Sequence, residues 1–188
     1  MFYGGSGLKQ LRNVKVLVVC ALMAALAVAL KFVASIDIGN YVRIGFSNLP
    51  GEVVSVMFGP VVGGVFWGVL DLIKYFLAPN GPFFPGFTLT AIVSGVIYGL
   101  VLYKKPVSVQ RVFLATLGVK VFSNLILNTI WVVVLYGEVL SVILPARIIS
   151  NLVMLPIDTA ITFILLKAII PLWNRVFGEE ERDLNKAA

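Results

Sequence analysis

Apolar residues run along this chain in long blocks, and most polar residues collect at the block ends. Stretches at 14–36, 61–78, 87–103, 112–136 and 142–170 are nearly continuous in Val, Leu, Ile, Ala and Phe. A helix rises about 1.5 Å per residue and needs roughly 20 apolar residues to cross the ~30 Å hydrocarbon core of a bilayer, so each stretch predicts a membrane helix. A sixth stretch, 46–58, is shorter and carries Glu52. Hydropathy alone leaves it ambiguous.

Composition fixes the class. The 188 residues are 60% hydrophobic and 13% charged, with mean hydropathy +1.01, well outside the range of soluble domains. Charge then resolves the sixth stretch. Basic clusters stand at Lys9, Arg12 and Lys15, at Lys104, Lys105 and Arg111, and at Lys167, Arg175, Arg182 and Lys186. If all three are cytoplasmic, as the excess of Lys and Arg on inner loops requires, an even number of crossings separates each pair. Segment 46–58 must then span as well. The expectation is an all-α integral membrane protein of six transmembrane helices, 14–36, 46–58, 61–78, 87–103, 112–136 and 145–170, with both termini cytoplasmic and residues 1–188 in a single domain. Outer loops fall at 37–45, 79–86 and 137–144. Reading residues 1–30 as a cleaved secretory signal would leave an odd number of crossings. The acidic tail from Glu179 reads as a solvated end.

What is missing limits the chemistry. There is no His, and Cys20 is the single Cys, which excludes disulfide frameworks, Cys/His metal centres and His-based acid–base catalysis. No phosphate-binding loop of the form G-x-x-x-x-G-K-[ST] occurs, so the chain has no P-loop route to ATP hydrolysis. No catalytic set, metal site or cofactor site is expected in this chain. The net charge of +6 flanks apolar spans, where it orients the chain in the bilayer and implies no nucleic-acid partner.

Polar side chains inside spans are costly and mark sites or pathways. On the expected topology most of them share the outer half: Asp71 and Lys74 near the end of the third helix, Asn124 and Asn128 in the fifth with Trp131 above them, and Arg147 and Asn151 at the start of the sixth. Arg43 and Asn48 flank the start of the second. Each also has a purely structural reading. Asp71 and Lys74 either neutralise each other or belong to a site; the Asn pair is either interhelical glue or a contact; Arg43, Lys31 and Arg147 either snorkel to the interface or meet a ligand. Their co-location favours one outward-facing cavity.

The loop "APNGPFFPGF" bears no charge but holds Phe83, Phe84 and Phe87 among Pro and Gly residues. It suits a restricted aromatic lid over a planar apolar ligand, with Asn80 and backbone groups bonding the ligand's edge. A headgroup-dipping aromatic loop is the other reading. On the first helix Ala21, Ala25 and Ala29 repeat every four residues, a small-residue stripe that admits a close helix partner. The pairs Gly59/Gly63, Gly64/Gly68 and Gly95/Gly99 repeat the spacing and read as internal packing.

The segments "ALMAALAVALKFVASI", "YVRIGFSNLP", "FGPVVGGVFWGVLDLIKYFLAPNG" and "FFPGFTLTAIVSGVIYGLVLYKK" together resemble the substrate-binding S component of energy-coupling factor (ECF) vitamin transporters, of the folate type. The resemblance covers roughly residues 16–105. It implies an S-component-like bundle in a prokaryotic plasma membrane that binds a vitamin at the outer side. Its partners would be a transmembrane coupling subunit and two ABC ATPases, which use the ATP. It also implies that Ala21, Ala25 and Ala29 face the coupling subunit and that loops 37–45 and 79–86 gate the site. A folate's pterin ring would then lie among Phe83, Phe84, Phe87, Tyr75 and Trp131, with edge bonds from Asn80, Asn128 or Asn151 and carboxylates met by Arg43, Lys74 or Arg147. Glu52 and Lys74 depart from the family pattern and raise pantothenate or a pyridoxine-like vitamin as alternatives. An autonomous ion-coupled transporter would instead rely on Glu52 and Asp158.

Overall fold

The computed structural model describes residues 10–33, 35–38, 42–79, 82–137 and 140–187. Helix α1 (Val14–Val33) is followed by two short antiparallel strands, β1 (Ser35–Ile38) and β2 (Val42–Gly45), with Ser35 opposite Gly45 and Asp37 opposite Arg43. This hairpin lies where a loop was expected at 37–45 and ends the first helix three residues early, within a bundle that is otherwise helical. Its cause is local, since Ser-Ile-Asp-Ile and Val-Arg-Ile-Gly alternate apolar with polar residues, and β-branched side chains favour the extended chain.

A 3₁₀ turn (Phe46–Asn48) then leads into α2 (Leu49–Phe58), α3 (Pro60–Leu77) and α4 (Pro85–Leu102). After α4 the chain runs through α5 (Val109–Gly118), a π-helical segment (Val119–Leu127) and α6 (Asn128–Tyr136), and ends in α7 (Leu140–Ala187). Five segments, Val14–Val33, Pro60–Leu77, Pro85–Leu102, Val109–Leu135 and Arg147–Pro171, are long and apolar enough to cross a membrane among the described residues. The expected sixth span differs. With ten residues, α2 extends about 15 Å, half the hydrocarbon core.

Helix α2 is the centre of the bundle, with every residue from Pro50 to Phe58 buried. It turns back on α3 at Gly59, whose φ of 91° with ψ of −177° lies in a region essentially reserved for glycine. The two helices face each other across that turn: Trp67 Nε1 donates to Ser55 Oγ at 3.2 Å, and Gly51, as far before the turn as Trp67 is after it, leaves room for the Trp67 ring. Pro60 starts α3, where its missing N–H costs no helical bond. Helices α3 and α4 touch backbone to backbone, and a Cβ on Gly95 would lie 2.6 Å from the Gly63 carbonyl oxygen. Lipid supplies no hydrophobic drive between helices, so such close packing of small residues carries the association.

Helix α7 begins before the expected 145 and continues past 170 to Ala187, absorbing Pro145, Pro156 and Pro171 and the acidic tail. Glu, Arg, Leu, Lys and Ala in that tail are good helix formers, which sustains the helix. Outward-facing Leu22, Leu26, Val65, Val69, Leu100, Phe122, Leu152 and Ile164 are exposed and give the molecule an apolar mantle, as a lipid-facing surface requires.

Candidate functional site

Two adjoining chambers of about 570 and 280 Å³ lie between α2, α3, α4, the π segment and α7. The larger is within the range of about 300–1,000 Å³ usual for small-molecule pockets. Glu52, Asp71, Lys74, Phe87, Lys120, Asn124 and Asp158 line both. Along α7 the larger chamber touches Ser150, Asn151, Met154, Asp158 and Thr162. These residues share one helical face and set a depth of about 18 Å at 1.5 Å per residue.

Of the expected site residues, Lys74, Tyr75, Phe83, Phe84, Phe87 and Asn151 line the larger chamber, and Asn128 lines the smaller. Asn80 and the Arg43 side chain lie outside the described residues. Trp131 forms a wall behind the lid: its ring centroid is 5.6 Å from that of Phe84, and its Nε1 donates to Thr90 Oγ1 at 3.1 Å. Phe84 also meets Phe87 edge to face at 5.9 Å, while Phe83 leans on Tyr75 at 5.2 Å. Arg147 enters the network through its carbonyl oxygen, which accepts from Asn151 Nδ2 at 2.9 Å.

Asp71 and Lys74 form no ion pair with each other. Lys74 Nζ donates to Ser47 O at 2.8 Å, Ser47 Oγ at 3.2 Å and Asn48 Oδ1 at 3.1 Å, which occupies its three protons and ties α3 to the 3₁₀ turn before α2. Asp71 Oδ2 accepts from Thr88 Oγ1 at 2.8 Å. Lys31, half-buried near the end of α1, donates to the carbonyls of Lys74 and Ala78, each at 2.9 Å. A cation on the last carbonyls of α3 satisfies groups that the helix cannot and complements its dipole, directly below the lid.

The floor holds the residues that the expected site set lacked. Lys120 Nζ pairs with Asp158 Oδ2 at 2.5 Å, Thr162 Oγ1 donates to Glu52 Oε2 at 2.7 Å, and Asn124 Nδ2 donates to Asn151 Oδ1 at 3.4 Å. Glu52 is 6% exposed and lies in the first turn of α2, where the helix dipole favours an anion. Lys120 and Asn124 belong to the π segment, a rare geometry that recurs at functional sites. Their signal was present in the sequence as Lys120, Asn124 and Asn128 at four-residue spacing inside an apolar span.

An apolar mantle around a chamber lined by aromatic and charged residues defines a membrane protein built to hold a solute. Residues 15–166 match the family described as "ECF transporter, substrate-specific component", and the chain belongs to that family, whose members are transporter components rather than enzymes. The folate transporter FolT of Clostridium novyi (strain NT) is 36% identical over 153 residues, covering 81% of this chain and 88% of that protein. The folate transporter FolT of Leuconostoc mesenteroides subsp. mesenteroides is 33% identical over 153 residues, covering 77% and 82% respectively. Among solved structures, a crystal structure of FolT bound with folic acid aligns with TM-score 0.73 and 32% identity, over 81% of this chain and 94% of that one.

Proposed function

We propose that this chain captures folate at the outer face of a prokaryotic cell membrane and delivers it as part of an ECF-type importer. The observation that carries the reading is the likeness to FolT bound with folic acid along nearly the whole of that chain, at 32% identity. In this reading residues 1–188 form one membrane domain with six crossings and both termini cytoplasmic. The α2–α3 hairpin supports that count, because it reverses the chain within the bundle. Phe83, Phe84, Phe87 and Tyr75 enclose the ring system, Trp131 backs them, and Asn128 and Asn151 bond the ligand's polar edges. Arg43, Asn80 and Arg147 belong to the outer end of the site.

The exposed Ala21, Ala25 and Ala29 face of α1 meets a transmembrane coupling subunit, and two ABC ATPases supply the energy, so this chain itself carries no cofactor. The test is a titration of substrate-stripped protein with folic acid, pantothenate and pyridoxine, followed by Trp fluorescence. One-to-one binding of folic acid alone is expected. Binding of only another vitamin overturns the folate assignment, and uptake by the chain alone under an ion gradient overturns the importer assignment.

A further inference from the structure

Three carboxylates line the chambers, and they are not equivalent. Asp158 has its cation in Lys120. Asp71 is half-buried and accepts from Thr88. Glu52 combines deep burial with neutral partners, the hydroxyls of Thr162 and Tyr98. The three ammonium groups that line the chambers are already engaged, Lys31 by the carbonyls of Lys74 and Ala78, Lys74 by three oxygens and Lys120 by Asp158. The carboxylates keep acceptor capacity toward the chambers. A buried carboxylate is costly until donors or a positive charge meet it, and an ionised one still offers lone pairs beyond those that Thr162 and Tyr98 use.

The wall beside Glu52 is aromatic. Trp67 and Tyr98 lie stacked with centroids 6.4 Å apart and planes 13° apart, and both line the smaller chamber. A planar heterocycle held against that wall directs an edge toward the carboxylate, and a 2-aminopyrimidin-4-one ring presents two parallel N–H donors along one edge.

We propose that Glu52 is the specificity-determining residue of the inner chamber, its carboxylate accepting both N–H donors of that edge, and that Thr162 is a positioning residue that sets the carboxylate's orientation. The proposal rests on the folate reading above, since folic acid carries this ring. It differs from the lid-centred expectation by seating the ring's polar edge on α2 and by removing Lys74 from ligand contact.

The test measures Kd by calorimetry for folic acid and for its 2-desamino-2-methyl analogue, in the full chain and in Glu52→Gln, Glu52→Asp, Thr162→Val and Thr162→Ser. Wild type is expected to prefer folic acid by roughly 10- to 100-fold, the scale of a charge-assisted hydrogen bond. Glu52→Gln is expected to weaken both ligands, because the analogue keeps its ring N–H, but to weaken folic acid several-fold more and so to narrow the preference. Glu52→Asp keeps the charge and part of the preference, Thr162→Val narrows the preference, and Thr162→Ser restores it. Equal losses for both ligands in Glu52→Gln, or no loss for either, overturn the assignment of Glu52. If Glu52→Gln does not fold, an undiminished preference in Glu52→Asp and Thr162→Val together overturns it. Wild type that binds both ligands alike sinks the proposal and leaves the folate reading standing, whereas wild type that binds neither overturns both.

Discussion

Lys120 and Asp158 meet ammonium to carboxylate at 2.5 Å, tying the π segment to α7 across the floor of the cavity that Glu52 also lines. Their side chains are 13% and 29% exposed, so the pair is intermediate between a buried and a surface ion pair. Removing one partner leaves the other charge poorly solvated. The loss for Lys120→Met or Asp158→Asn is expected to fall between the ~1 kcal/mol of an exposed pair and the roughly 3–5 kcal/mol of a buried one. The double variant Lys120→Met/Asp158→Asn is expected to lose less than the sum, because no lone charge remains. Thermal unfolding of the four proteins in one detergent checks this. Additive losses would mean that the two residues act independently.

The aromatic residues from Phe83 to Phe87 are held by ring contacts with no charge, and in the proposed reading they act as a lid whose truncation speeds ligand release. Phe84 touches both Phe87 and Trp131. Phe84→Ala is expected to raise the Kd for folic acid by about tenfold or more, with most of the change in the dissociation rate, as is usual for contact mutants. Trp131→Phe keeps a ring and gives up the bond to Thr90 Oγ1, so its effect is expected to be smaller. Stopped-flow Trp fluorescence resolves the rates in Phe84→Ala, which keeps all three Trp residues; calorimetry serves for Trp131→Phe.

Two glycines separate packing from backbone strain. Gly95→Ala places a methyl 2.5 Å from Trp67 Cδ1 and 2.6 Å from the Gly63 carbonyl oxygen. Backbone cannot yield as a side chain can, so overpacking of about 1–3 kcal/mol is expected. Gly137→Ala meets nothing within 4 Å, and its φ of 65° costs only about 1–2 kcal/mol for a left-handed residue. Thermal midpoints for the two variants, alone and with bulkier side chains, distinguish the causes: Gly95→Val should fall much further than Gly95→Ala, whereas Gly137→Asn should fall no further than Gly137→Ala, because Asn tolerates the left-handed region.

In the proposed importer the exposed small-residue face of α1 would meet the coupling subunit. Ala21, Ala25 and Ala29 are all exposed, beside exposed Leu22 and Leu26. Ala25→Trp is expected to leave the Kd for folic acid unchanged and to abolish co-purification with the coupling subunit and ATP-driven uptake. Retained uptake would move that contact to another face.

Hydropathy and charge made the long helices and the cavity's outer rim legible in the sequence, because blocks such as 87–103 are set by the bilayer alone. The π segment was not legible. Residues Val119–Leu127 have no local feature that separates i→i+5 from i→i+4 bonding, and the choice depends on what Lys120 and Asn124 meet across the bundle. The role of Lys74 was hidden for a related reason. Its i, i+3 spacing from Asp71 suggested a pair, while its real acceptors, Ser47 and Asn48, stand 27 and 26 residues away in sequence. Glu52 was visible as an anomaly in 46–58, but its donor Thr162 lies 110 residues downstream.

That last distance also has a meaning in time. A ribosome adds roughly 5–20 residues per second, so Glu52 leaves it about 5–20 s before Thr162 is made. During that interval the short α2, buried on every side in the finished bundle, lacks the helix that will carry its donor. It cannot span the membrane unaided, so it has to shelter against α3 as a hairpin whose buried carboxylate stays provisional. The N-terminal half thus waits for the C-terminal helix, and final closure of the bundle is an event of late biogenesis that no earlier segment can complete.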